Sequence, residues 1–300
     1  MASLKTASKQ RQPINWTPYL FMLIPLALYF TWIVYPTFST FYLSLTNWDG
    51  VTPNPRFVGF ANFERLFSDR DFHLSLQNNL RWLLIFITVP TVAGLFLAMI
   101  FNAEMVGGRF YKVSFFAPLV LSLPVIGLVW SFGVYNPQEG LLQLVATWFG
   151  NPDAKISILS SRQTAIWAVI AAAVWRQVGY VMVLYLAGLK NVDPSLVDAA
   201  QVDGADRFNL FFRVILPLLA PVTSIIVVIS VIDSLRAFDL VSVMTRGGNN
   251  TQVLANFMYI EAFNNYKMGY GASIAVMLFL ISFVFILFFL WRVLQDEIEA

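Results

Sequence analysis

Long apolar runs alternate with shorter polar stretches along the whole chain. The first, residues 18–43, exceeds the roughly 20 residues that cross a bilayer, and it is too long for the apolar region of a secretory signal. Further runs cover about residues 80–101, 110–134, 164–187, 215–238 and 270–291. The pattern predicts an all-α integral membrane protein with six transmembrane helices. Pro25, Pro36, Pro90, Pro118 and Pro124 fall inside predicted spans and are expected to kink them. Phe60, Phe63 and Phe67 recur at helical spacing around Glu64 and Arg65, which predicts a short amphipathic helix at the membrane surface within residues 44–79. Leu141, Leu144, Val145 and Trp148 predict a second such helix within 135–163, stopped by Gly150, Asn151 and Pro152. Gly107 and Gly108 mark a turn. A polar tail, 1–16, precedes the six-helix domain, 17–292, and a short acidic tail, 293–300, follows it.

The most informative polar stretch lies between the fourth and fifth runs, at about 190–214. Asp193 and Pro194 form a helix-start signal: Asp caps, and Pro fits the first turn. Ala199 and Ala200 leave little side chain to obstruct a partner, and Gly204 permits positive φ. Two short helices joined at Gly204 are expected, projecting from the membrane as a docking knob.

These residues carry a resemblance. Asp198-Ala199-Ala200, then Gly204, Val214 and Leu216-Pro217 keep the spacing of the "EAA" loop in permease subunits of binding-protein-dependent ATP-binding-cassette importers. Asp198 stands for the family's Glu and Val214 for its Ile. The flanking Ala187-Gly188-Leu189 and Asp203-Gly204-Ala205 look like the carbohydrate-uptake branch, and residues 57–63 look like the first outer loop of its larger-type permease. The resemblance implies a bacterial inner-membrane protein with both termini cytoplasmic. It implies a second related permease, two ATPase subunits that carry ATP and Mg, and an extracytoplasmic solute-binding protein. It also implies that Asp198, Ala199, Ala200, Asp203, Gly204, Ala205, Leu216 and Pro217 meet the ATPase.

Composition agrees with a membrane protein: 58% of the 300 residues are hydrophobic and 12% charged, against about a quarter charged in soluble domains. A net charge of +2 is too small to suggest nucleic acid. Cysteine is absent, and His73 is the single histidine, so no thiolate chemistry or metal cluster is expected and no cofactor is assigned to this chain. Gly247-Gly248 lacks the Lys-Ser/Thr ending and preceding strand of a phosphate loop. Lys5, Lys9, Arg11, Arg109, Lys112, Lys190, Arg207, Arg213 and Arg292 favour inside termini only weakly.

Charged groups at membrane depth cost about 2.5–3.5 kcal/mol on insertion scales, so each needs a reason. Arg176 lies near the middle of the fourth run beside Trp175 and Gln177, with Tyr180 four residues on. Asp233 and Arg236 share a face of the fifth, with Ser234 adjacent. Planar hydrogen-bonding groups and aromatic faces are what hold a neutral polyol. Maltose-type permeases place sugar contacts on these two helices, and alignment with them implies Arg176, Gln177, Tyr180, Asp233, Ser234 and Ala237. The alternative is that Asp233 pairs with Arg236, and Arg176 with a partner, for charge neutralisation alone. The chain is read as a transport subunit with no chemistry of its own. An ion-gradient-driven secondary transporter, with Asp233 as its intramembrane carboxylate, is the alternative function.

Overall fold

In the computed structural model, residues 17–103, 105–151 and 156–299 are described. The tail 1–16 lies outside them. Among the described residues every regular element is a helix, joined by turns and loops, with one isolated bridge between Thr46 and Phe57. Helix α1 (Thr17–Tyr29) passes through a π turn (Phe30–Val34) into α2 (Tyr35–Ser44), together the first span. The surface helix α3 (Ala61–Ser68) follows, as the phenylalanine spacing predicts.

The second span, α4 (Arg70–Asn102), is 33 residues long. At 1.5 Å per residue that is about 50 Å, well beyond the roughly 30 Å hydrocarbon core. It starts ten residues earlier than hydropathy alone suggests, because Asp69 caps it by accepting from the Asp71 N–H at 2.8 Å. Residues 70–79 are therefore helix, not loop.

The third apolar run is not one rod. α5 (Gly108–Phe116) and a 3-10 turn (Ala117–Val120) meet α6 (Leu123–Leu128) and a π turn (Val129–Val134) at a 102° bend. Leu121 and Ser122 are extended, with ψ of 140° and 148°. Pro118 and Pro124 flank the break, and their missing N–H groups weaken the helical ladder there.

The second amphipathic helix is α7 (Leu141–Trp148). Its apolar face points outward: Leu141, Leu144, Val145 and Trp148 are exposed, while Gln143 is buried. The fourth span, α8 (Ala165–Lys190), is one unbroken helix and packs along α4. The close approach to α4 needs Gly94, and that of α8 to α5 needs Gly179. A Cβ at Gly94 would sit 2.9 Å from the Met182 nitrogen, and one at Gly179 would coincide with the Phe115 carbonyl oxygen.

Beyond α8 come α9 (Pro194–Val202), α10 (Arg207–Leu210), a π turn (Phe211–Ile215), α11 (Leu216–Leu218) and α12 (Ala220–Leu235). The fifth span is bent by 64° at buried Leu219, between Pro217 and Pro221. It also starts earlier than predicted, at Arg207, so the irregular part of the coupling stretch is shorter than 190–214. α13 (Asp239–Met244) and α14 (Leu254–Tyr259) precede the last helix, α15 (Met268–Glu299), which continues through the predicted acidic tail. Among the described residues, four helices are long and apolar enough to cross a membrane, or up to six spans if each bent pair counts as one.

Three apolar clusters hold the described helices together. One joins Trp82 and Phe86 of α4 to Ile126, Ile166, Val169, Ile170, Leu240 and Val241. A second joins Ala98 and Phe101 to Val181, Met182, Tyr185, Leu219 and Ile226. A third packs Leu66 and Phe72 against Leu254, Phe257, Tyr270 and Ile274. α4 contributes to all three.

Candidate functional site

The first site is a cavity of about 220 Å³ walled by α4, α6, α8 and the end of α12. Trp82 and Phe86 come from α4, Leu123 from α6, and Ala173, Arg176 and Gln177 from α8. Asp233 closes the α12 side, and Arg236, Ala237, Phe238, Asp239 and Leu240 complete the wall. Five residues predicted from the sequence, Arg176, Gln177, Asp233, Arg236 and Ala237, thus come together. Three others do not line it. Trp175 is 42% exposed on another face and packs edge-on against Trp130 at 5.8 Å. Tyr180, one turn beyond Arg176, is half-buried outside the cavity. Ser234 is fully buried, donating its hydroxyl to the Val231 carbonyl at 2.8 Å.

Two adjacent asparagines hold this region in place. Asn79 donates to the Ser234 carbonyl at 2.9 Å and accepts from the Leu254 N–H at 2.9 Å. Asn78 donates to the carbonyls of Asn250 and Gln252, both at 2.8 Å. α4 is thereby fastened to the end of α12 and to the loop leading into α14. In that loop Arg246, Asn249 and Asn250 take positive φ.

Arg176 and Arg236 are the charged neighbours of Asp233, and Gln177 faces it. No ion pair forms there: among the described residues, the contact within 4.0 Å is Lys267–Glu261, at 3.1 Å. Asp233 and Arg236 thus make no ion-pair contact within 4.0 Å, and both arginines act on the carboxylate over a longer distance. Trp82 Nε1, Arg176 Nε and Gln177 Nε2 are buried with no hydrogen bond within 3.5 Å, and Gln177 has only a longer contact with Asp233. Nearly all buried polar groups in folded proteins have a hydrogen-bond partner, so three donors around one cavity call for a ligand. Trp82 and Phe86 were missed in the sequence because aromatics in an apolar run look like ordinary core. Asp239 was assigned to the following loop.

The second site is the knob. Asp193 caps α9, accepting from the Ser195 N–H at 2.9 Å, and this bond holds its carboxyl below the usual range. Gly204 has φ +85°. The Ala205 N–H reaches the Ala200 carbonyl at 2.9 Å and the Gly204 N–H reaches Gln201 at 3.1 Å, the paired bonds of a Schellman C-cap. Asp206 then caps α10 through the Asn209 N–H at 2.7 Å. Asp198, Ala199, Asp203, Gly204 and Pro217 are exposed, and Ala200, Ala205 and Leu216 half-buried. The Asp198 carboxylate makes no hydrogen bond among the described residues, and Asp198 lines a cleft of about 300 Å³ with Asn102, Leu189 and Ile215. Val202 and Phe208 are 87% and 67% exposed, large apolar groups beside a self-satisfied backbone.

Residues 75–299 match the family described as binding-protein-dependent transport system inner membrane component. The chain belongs to this family. The permease is 32% identical over 269 residues to the probable ABC transporter permease protein YurN of Bacillus subtilis, covering 88% of this chain and 91% of that one. It is 33% identical to the multiple sugar-binding transport system permease protein MsmF of Streptococcus mutans, covering 89% and 90%. It is 30% identical to the trehalose/maltose transport system permease protein MalF of Thermococcus litoralis, covering 90% of each. In fold it matches a chain of a bacterial ABC transporter involved in import of the acidic polysaccharide alginate, with TM-score 0.80, 20% identity and 95% and 96% coverage. The permease is a multi-pass membrane subunit of an ABC importer, and the ion-gradient alternative is set aside.

Proposed function

We propose that this permease carries a sugar, glycoside or related polyol through the cavity between α4, α8 and α12. The observation that carries the reading is the cluster of buried donors without a hydrogen bond within 3.5 Å, Arg176 Nε and Gln177 Nε2, around an Asp233 carboxylate that makes no ion pair within 4.0 Å. A polyol offers hydroxyls that both accept and donate, so it suits arginines and amides set beside a carboxylate. Arg236 and Ala237 extend the wall, and Phe86 and Phe238 offer apolar faces. Trp175, Tyr180 and Ser234, outside the cavity here, join the site only if a second permease or another conformation brings them in. The sugars in the relatives' names, trehalose and maltose among them, support the class.

The knob formed by Asp198, Ala199, Ala200, Asp203, Gly204 and Ala205, with Leu216 and Pro217 at the base of the span, takes the force of a cytoplasmic ATPase. ATP and Mg act on that partner. Two ATPase subunits, a second permease and an extracytoplasmic binding protein complete the assembly. The alginate transporter has been solved with a periplasmic protein bound to an alginate pentasaccharide, which supports a receptor partner. With the knob inside, both termini are cytoplasmic. ATP and substrate then bias a two-state pathway that opens alternately to each side.

Uptake of labelled maltose, trehalose and diacetylchitobiose, with and without ATP depletion, tests the class. ATP-dependent uptake of one of them is expected, and Arg176→Ala and Asp233→Ala should lower it while the complex still assembles. Normal uptake by both variants would remove the site assignment, and loss of the assembled complex would make the charges structural instead.

A further inference from the structure

We propose that Trp82 on α4 contacts the transported solute, its indole N–H donating to one hydroxyl, so that α4 is a third selective wall beside α8 and α12. The inference rests on the carbohydrate reading above and adds a residue from a helix with no substrate role predicted from its residues.

Trp82 is 3% exposed and lines the cavity. Its Nε1 is buried without a partner. The indole nitrogen only donates, and a buried Trp usually finds an acceptor for it. Packing alone does not account for the residue, since a Phe at this position would fill the same apolar cluster without burying an unmet donor. Phe86, one turn on, is packed against the indole at 6.0 Å between centroids. Asn79, three residues earlier, ties this turn of α4 to the Ser234 carbonyl, next to Asp233. The indole is thus held in register with the α12 wall by a hydrogen bond rather than by apolar packing alone.

The same nitrogen is sealed from solvent in this conformation. A hydroxyl meets it only when the wall opens, so the bond belongs to the loaded state and not to the empty one. An interaction present in one state and missing in the other is what allows a ligand to shift the equilibrium between them. A hydroxyl of the wrong position or stereochemistry leaves the donor unmet, and the site discriminates against it.

The test uses the complete transporter in its native membrane. The best-transported of maltose, trehalose and diacetylchitobiose is compared with its monodeoxy analogues, in wild type and in Trp82→Phe. We expect KM for the parent sugar to rise about tenfold in Trp82→Phe, with turnover nearly unchanged. One deoxy analogue should abolish the difference between the two proteins, as a double-mutant cycle requires for a direct contact. If every analogue discriminates equally in both proteins, the inference fails and the carbohydrate reading stands. Absence of uptake for all three sugars overturns the carbohydrate reading. The inference then rests on the indole proton of Trp82 in the ligand-free complex, assigned by NMR of 15N-Trp protein. A proton that is protected from exchange and not hydrogen-bonded supports it. One already hydrogen-bonded without ligand overturns it, also in the event that Trp82→Phe does not assemble.

Discussion

The knob and the cavity satisfy their polar groups in opposite ways. From Asp193 to Asn209 nearly every step of backbone is closed locally, by an Asp cap, a Schellman pair at Gly204 and a second Asp cap. What the knob leaves open is apolar surface, Val202 and Phe208 above all. The cavity is built from four separated segments, and what it leaves open is polar: three buried donors without a close hydrogen bond, around a carboxylate with no ion pair within 4.0 Å. A lever has to keep its shape while a partner pushes on it, so local closure suits it. A site that binds and releases a solute must hold back some hydrogen-bonding capacity for that solute. The difference separates rigid transmission from reversible recognition within one chain.

The contrast breaks most visibly at Gly204. A Cβ there meets nothing within 4 Å, so the cost of substitution lies in the φ of +85° alone. A β-branched residue in that region is strained by about 1–3 kcal/mol, and the Schellman pair that shapes the knob is lost first. Gly204→Val is expected to leave the protein inserted and thermally stable, yet to abolish transport and uncouple ATP hydrolysis from uptake. Ala200→Trp should do the same by adding volume at the contact. Reconstituted vesicles with substrate-stimulated hydrolysis and pull-down of the ATPase decide it. Wild-type docking, hydrolysis and uptake in both variants would mean that force enters elsewhere.

Next in size is Asn79→Leu. It removes two buried hydrogen bonds and leaves the Ser234 carbonyl and Leu254 N–H unmet. The expected loss is about 2–4 kcal/mol, seen as a lower unfolding temperature in detergent, with uptake reduced in parallel because α12 drifts from α4. An unchanged unfolding temperature would show that apolar packing, not this bond, holds the cavity together.

The same asymmetry governed what the sequence revealed. Local closure uses neighbouring residues, so Asp193-Pro194 and Gly204 could be read directly, and both fell where expected. The six apolar runs were equally legible, because a bilayer imposes one length on each. The breaks at 121–122 and at Leu219 were not. Proline marks that a helix is weakened, but the 102° and 64° bends depend on what packs around the break. Of the cavity, the charged half was visible because Arg176, Asp233 and Arg236 stand out among apolar neighbours. Trp82 and Phe86 do not, since an aromatic in a membrane helix has the same appearance whether it faces lipid, core or ligand. Trp175, Tyr180 and Ser234 were grouped with the site by adjacency in sequence, and helix rotation carries them to other faces.

A smaller effect separates stability from function inside the cavity. Gln177 is 2% exposed, and its Nε2 makes no hydrogen bond within 3.5 Å, only a longer contact with Asp233. Replacing an unmet buried donor by an apolar group of similar shape is close to neutral, or stabilising by up to about 1 kcal/mol. Gln177→Leu is therefore expected to keep or raise the unfolding temperature while weakening uptake about tenfold through KM. A destabilised variant with unaltered KM would return Gln177 to the scaffold.

The smallest effect lies at the first turn of α9. The Ser195 N–H lowers the Asp193 carboxyl below its ordinary value of about 3.9. A carboxyl depressed in the folded state contributes stability that is fully present above the unfolded value and is lost as pH falls through the folded one. The capping contribution should thus be intact at neutral pH and fade below about pH 4. Asp193→Asn retains an acceptor oxygen without a charge, so its cap should be independent of pH, whereas Asp193→Ala should fray the turn at every pH. The Ser195 amide reports this by hydrogen exchange, corrected for the intrinsic rate. Protection that is the same in wild type and Asp193→Ala at pH 7 would mean that the docking knob is held by Pro194 and its C-cap, and that its N-terminal carboxylate is free to meet the partner.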